Sequence, residues 1–178
     1  MKKWKKRPWK MKKSPKVKKP LKMKKRRMKR KRKRMSENIS KKRMMRKLIF
    51  ESLFQLSVKD VKLEDILFTF EKLNEGVRLE ESYYLEAKQY IEDIYKNKNE
   101  YDGLIEKYSI DWSIERIGNI EKTVMRIFIY ELINKKDVPI KVILNESTEL
   151  TKTYATQKAA AFVNGIMDKI ARSQASIT

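Results

Sequence analysis

Lys41, Lys42 and Arg43, followed by Arg46 and Lys47, bring five cations together at the start of an apolar-periodic segment of this 178-residue chain. Ammonium and guanidinium groups at that density bind phosphates and release condensed counterions. Carried on a folded helix, they would be held in fixed directions and could position a particular RNA rather than any polyanion. Cations at a helix N-terminus oppose the macrodipole by a few tenths of a kcal/mol each, roughly, when exposed. A sequence that keeps five there is either compensated by function or presents a solvated basic helix start. Carboxylates pair at Glu80 with Glu81, at Glu92 with Asp93, and at Glu146 with Glu149 on one helical face. Paired carboxylates can do acid and base work. Here no histidine, Gly-rich phosphate loop or nucleophile motif accompanies them, so surface ion pairs and helix-end charges are the favoured reading. Cysteine is also absent, which excludes disulfides and Cys-based redox or metal sites. No catalytic residue, metal or cofactor is expected.

A second cationic region precedes the first. Of the 45 Lys and Arg, 22 lie in residues 1–35, which contain no Asp or Glu, so the rest of the chain holds 23 basic and 23 acidic residues. The net charge of +22 therefore belongs wholly to an N-terminal arm. Its composition cannot bury enough apolar surface to offset ordering entropy, and its like charges repel, so disorder is expected in the free arm. Arg7, Arg26, Arg27, Arg30, Arg32 and Arg34 would contact nucleic-acid phosphates with little sequence preference. Trp4 and Trp9, set among lysines, could stack on exposed bases of a single strand. The alternatives are a nonspecific solubilising tail, or upstream sequence that is not translated, with Met35-Ser36 as the start. No apolar run reaches the length of about 18 residues that a membrane span needs, and no apolar segment of a secretory signal follows the arm. A cytoplasmic protein without membrane contact is the expectation.

The remainder, residues 36–178, must supply the scaffold as one domain. Met45, Ile49, Leu53 and Leu56 fall at helical spacing from Ser40 onward. Leu63, Ile66, Leu67, Phe70 and Leu73 form a second helix, with Gly76 as its stop. Tyr84, Ala87, Ile91 and Ile94 define a third, with Ser82 as a cap. Tyr101, Leu104, Ile105 and Tyr108 make a short fourth. Residues 120–133 are apolar nearly all round, which suits the centre of a bundle. Pro139 opens a helix carrying Ile143, Ser147, Leu150 and Tyr154, and Phe162, Val163, Ile166, Met167 and Ile170 define the last. Gly165 in that stripe reads as a close helix–helix contact, with an Asn164-Gly165 turn as the alternative. Strand signals are scarce, so the expected fold is all-α, a compact bundle of about seven helices.

Four segments together resemble the NusB family. They are Lys42-Arg43-Met44-Met45-Arg46 with Leu53-Phe54-Gln55; Glu121-Lys122-Thr123-Val124-Met125-Arg126-Ile127 with Tyr130-Glu131-Leu132; residues 137–146, reading DVPIKVILNE; and residues 162–170, reading FVNGIMDKI. Order and spacing match over about residues 40–172, and the arm lies outside. The resemblance implies two packed sub-bundles and a factor that binds single-stranded boxA RNA from ribosomal RNA leaders. The implied partners are NusE, itself a small-subunit ribosomal protein, and the RNA polymerase antitermination complex. It also implies an RNA-facing set: Lys41, Lys42, Arg43 and Arg46 from the first helix, Phe54 and Glu121 at RNA- or partner-binding positions, and Phe162 as an RNA-contacting aromatic. Lys152 and Lys158 could add phosphate contacts, although Lys158 replaces an acidic residue of some relatives. For Phe54 and Phe162, ordinary core packing is the competing reading.

Two other functional classes compete with a noncatalytic antitermination factor. NusB-like domains also occur fused to RNA cytosine methyltransferases, as their RNA-binding part. A ribosome- or nucleoid-associated protein that binds mainly through its arm would need the body only as a scaffold.

Overall fold

The computed structural model describes residues 19–58, 61–110 and 112–175, with side chains for 26–58, 61–110 and 112–174. Among them are seven α-helices: α1 Lys19–Leu53, α2 Leu63–Val77, α3 Glu81–Lys96, α4 Lys98–Tyr108, α5 Asn119–Asn134, α6 Ile140–Tyr154 and α7 Gln157–Ala175. Two short 3-10 helices, Phe54–Ser57 and Ile114–Arg116, follow α1 and precede α5. The chain divides into a unit of residues 1–38 and a unit of residues 39–178.

In the larger unit, α5 is the centre. Every residue from Thr123 to Leu132 is buried, as an apolar surface on all sides of a helix requires. Helices α6 and α7 pack on each other and on α5, while α3 and α4 meet α5 separately and α2 packs on α3. Helix α4 also packs on α7, so α5 is the common member of the two expected sub-bundles but not their sole link. Its buried polar groups all find partners, as a low-dielectric interior demands. Arg126 donates to both Asp102 oxygens at 2.7 and 2.8 Å and to the Ser57 hydroxyl at 2.6 Å. The Thr123 and Ser57 hydroxyls are 2.8 Å apart. These bonds tie α4, α5 and the 3-10 helix after α1 into one cross-linked group.

Several boundaries differ from the sequence reading. Helix α1 begins at Lys19 rather than at Ser40, so the described part of the arm is helical. Lys, Arg and Met are good helix formers, and propensity decides where every described side chain from Arg26 to Ser40 is exposed. The five-cation patch is therefore mid-helix, and the macrodipole penalty does not apply to it. Helix α2 runs through Gly76 and ends where Arg78 takes the left-handed conformation at φ 56°. Its end is held by the Asn74 side chain, which accepts from the Leu79 N–H at 2.9 Å. Glu80, not Ser82, is the N-cap of α3, and Ser82 lies in the first turn. Gly165 is helical and exposed, and a Cβ added there would meet no atom within 4 Å, so neither the close contact nor the turn is present.

Candidate nucleic-acid interface

The cations of the α1 patch have unequal surroundings. Arg46 is 5 % exposed. Its guanidinium donates to both oxygens of Glu131, at 2.7 and 3.0 Å, and to Glu146 at 3.3 Å. Burial alone would lower its pKa, but the two carboxylates outweigh burial and hold it above the ordinary value. The Tyr90 hydroxyl adds a 3.3 Å bond to Glu131, and burial raises that phenol's pKa strongly. Arg46 is thus consumed inside the bundle, where it locks α1 to α5 and α6. Among the residues implied as RNA-facing, it is the one the structure withdraws from the surface.

Arg43, one turn earlier, is half-exposed and forks onto Glu146 at 2.7 to 3.1 Å, which raises its pKa. Lys41 pairs with Glu80 at the surface. Lys42 and the exposed Lys158 form no ion pair among the described residues. Lys152 is exposed and pairs with Glu149 at 2.8 Å within α6, and this bond holds the Glu149 carboxyl below its usual range. Of the carboxylate pair Glu146 and Glu149, the first is the buried acceptor for two arginines and the second a surface partner of lysine.

These residues share a continuous surface. A cleft between α1 and α6 is lined by Arg43, Lys47, Glu149 and Thr153 among others, the buried Arg46 and Glu146 included. A second cleft between α6 and α7 is lined by Lys141, Asn145, Glu149, Lys152, Gln157 and Asn164. Glu149 borders both, so the surface passes from the α1 patch over α6 to the start of α7, where Lys158 stands. Across it, α1 and α6 run parallel: Arg43 meets Glu146, and Glu51 accepts from the Tyr154 hydroxyl at 2.7 Å two turns further on.

The aromatics have separate neighbours. Phe54 sits in the first 3-10 helix, partly buried and 5.9 Å from the Phe50 ring, which itself lies 4.2 Å from Tyr154. Phe54 and Phe162 are alike in packing partly buried against the core. Phe162 is half-buried on α7, one turn after Lys158, with its ring edge-on to Trp112 at 6.4 Å. Glu121 lies in the first turn of α5 with its carboxylate folded back over Gly118, where a Cβ would collide with it. That placement suits an acid at a helix N-terminus. Arg26, Arg27, Arg30, Arg32 and Arg34 are exposed on α1, whereas Trp4, Arg7 and Trp9 lie outside the described residues. The sequence reading passed over Trp112 and Arg116, because they fall between helices and outside every apolar stripe. An aromatic followed four residues later by a cation was the one signal there.

Fold and surface together define a class: an all-helical bundle that carries a patch of lysines and arginines on its first helix. Among the described residues there is no metal-holding cluster of His, Cys, Asp or Glu, and no helix long and apolar enough to cross a membrane. The NusB family model matches residues 43–172, and the chain belongs to the NusB family. It is 34 % identical over 138 residues to the transcription antitermination protein NusB of Fervidobacterium nodosum, covering 77 % of this chain and 94 % of that one. The corresponding protein of Acetivibrio thermocellus is 34 % identical over 134 residues, covering 74 % and 88 %. Among solved structures, Thermotoga maritima NusB superposes with a TM-score of 0.65 at 33 % identity, covering 73 % of this chain and 89 % of that chain. Antitermination factors NusB and NusE in complex with double-stranded RNA give a TM-score of 0.66 at 25 % identity, covering 75 % and 98 %.

Proposed function

We propose that this chain is a noncatalytic transcription antitermination factor that binds single-stranded, boxA-type RNA of ribosomal RNA transcripts together with NusE. In this reading it acts in the cytoplasm, within an RNA polymerase antitermination complex. The observation that carries it is the pair of adjoining clefts from the α1 patch across α6 to the start of α7, which offers Lys47, Lys141 and Lys152 to phosphates, with Lys42 and Lys158 next in sequence to lining residues and the half-buried Phe162 one turn after Lys158. Cations that hold a backbone beside an aromatic that takes an unstacked base are what single-stranded RNA recognition needs. The relative solved with NusE and RNA supports both partners.

The exposed arginines of the arm, Arg26 to Arg34, add a phosphate-binding contribution that is indifferent to sequence. A titration against boxA and scrambled RNA of equal length, with the full chain and with a chain lacking residues 1–34, separates the two contributions. The shortened protein should bind more weakly yet prefer boxA, and more so with NusE present. Equal affinity for both RNAs in the shortened and full chains would refute recognition by the body and favour a nonspecific basic protein.

A further inference from the structure

We infer that Trp112 and Arg116 form a binding site for one unpaired nucleobase and its phosphate, beside Phe162. This inference rests on the RNA-binding reading above and extends it to a segment that reading does not use. Trp112 is 46 % exposed although it is the largest apolar side chain of the body, and a ring of that size normally goes to the core or to an interface. Its surroundings hold it in place rather than bury it. The Ser109 hydroxyl lies within hydrogen-bond distance of the Trp112 carbonyl, at 2.7 Å, and of the Glu106 carbonyl, at 3.1 Å. Between them Ile110, a β-branched residue, adopts a positive φ of 38° while 76 % exposed. Backbone strain of that kind persists where surrounding structure enforces it, and it concentrates at functional sites.

The chemistry of the site favours a nucleotide. Trp112 meets Phe162 edge-on, with ring planes at 71°, so the pair does not close into a stack and indole surface stays open. Arg116 lies over the indole, 5.1 Å from its centroid, and forms no ion pair among the described residues. An aromatic surface beside a guanidinium with no ion pair among the described residues matches a base and its phosphate, whereas an apolar peptide would leave the guanidinium without a counter-charge. Lys158, one turn before Phe162 on α7, is exposed and extends the positive charge along the same side of that helix.

The test uses the full chain with Trp4→Phe and Trp9→Phe, which leaves Trp112 as the one tryptophan of the three in the sequence. Binding of a short boxA-type RNA is followed by anisotropy of an end-labelled strand and, with unlabelled strand, by Trp112 emission. Quenching should saturate together with the anisotropy. Trp112→Ala should weaken binding by at least about fivefold, Trp112→Phe should retain most of the affinity, and thermal melting of both should match the parent. Anisotropy that saturates while Trp112 emission and the affinity of Trp112→Ala stay unchanged would overturn the site and leave RNA binding elsewhere intact. No anisotropy change with any variant would overturn the site and the RNA-binding reading together.

Discussion

Arg43 and Arg46 are neighbours in one basic run, yet their substitutions should report different things. Removing Arg46 leaves Glu131 buried without a counter-charge, while Glu146 keeps Arg43, and breaking a buried pair costs about 3–5 kcal/mol. Urea denaturation of Arg46→Ala should show a loss of that order, and Arg43→Ala, half-exposed, a loss of about 1 kcal/mol or less. Lys42→Ala and Lys158→Ala should leave stability nearly unchanged. Each should weaken RNA binding and reduce the slope of log affinity against log salt by about 0.7, read from titrations at several salt concentrations. The different fate of Arg46 was partly legible. It stands three residues before Ile49 and seven before Leu53, both buried, so the apolar stripe already places it inward. Its partners were not legible, since Glu131 and Glu146 are 85 and 100 residues away and look like any other helical glutamates.

At the scale of elements, apolar periodicity located all seven helices because each buries a stripe against α5 or a neighbour of α5. Their ends were less legible. Gly76 and Ser82 are residue types that commonly stop and start helices, but here Arg78, aided by the Asn74 side chain, and Glu80 take those places. Side-chain bonds of this sort depend on three-dimensional neighbours, which residue type does not reveal. Gly165 offers a direct check. It is helical and exposed with open space around it, so Gly165→Ala should raise stability by about 0.8–1 kcal/mol, the propensity difference between the two residues. A loss of stability in thermal or urea melts would mean that a helix does approach that position. Trp112 was illegible for a different reason: a side chain that joins no stripe leaves no periodic trace.

For the whole molecule, the charge distribution separates general attraction from recognition. The full chain should show a steeper salt dependence of RNA affinity than the chain lacking residues 1–34, and a similar ratio between boxA and scrambled RNA, measured at matched ionic strength. The unbroken course of α1 adds a kinetic and thermodynamic dimension. A helix starting alone must first form a nucleus, with a statistical penalty on the order of a thousandfold, before propagation adds bonds. Along α1 the buried residues Met45, Leu48, Ile49 and Leu53 already fix that nucleus, so the basic stretch has only to propagate from it toward Lys19. Repulsion between like charges one turn apart opposes that growth, and salt or bound phosphates relieve it. Helix length in the basic stretch is thereby a variable that polyanions set. Far-ultraviolet circular dichroism should show helicity rising with salt in the full chain, and much less so in a peptide of residues 19–38, which lacks the nucleus.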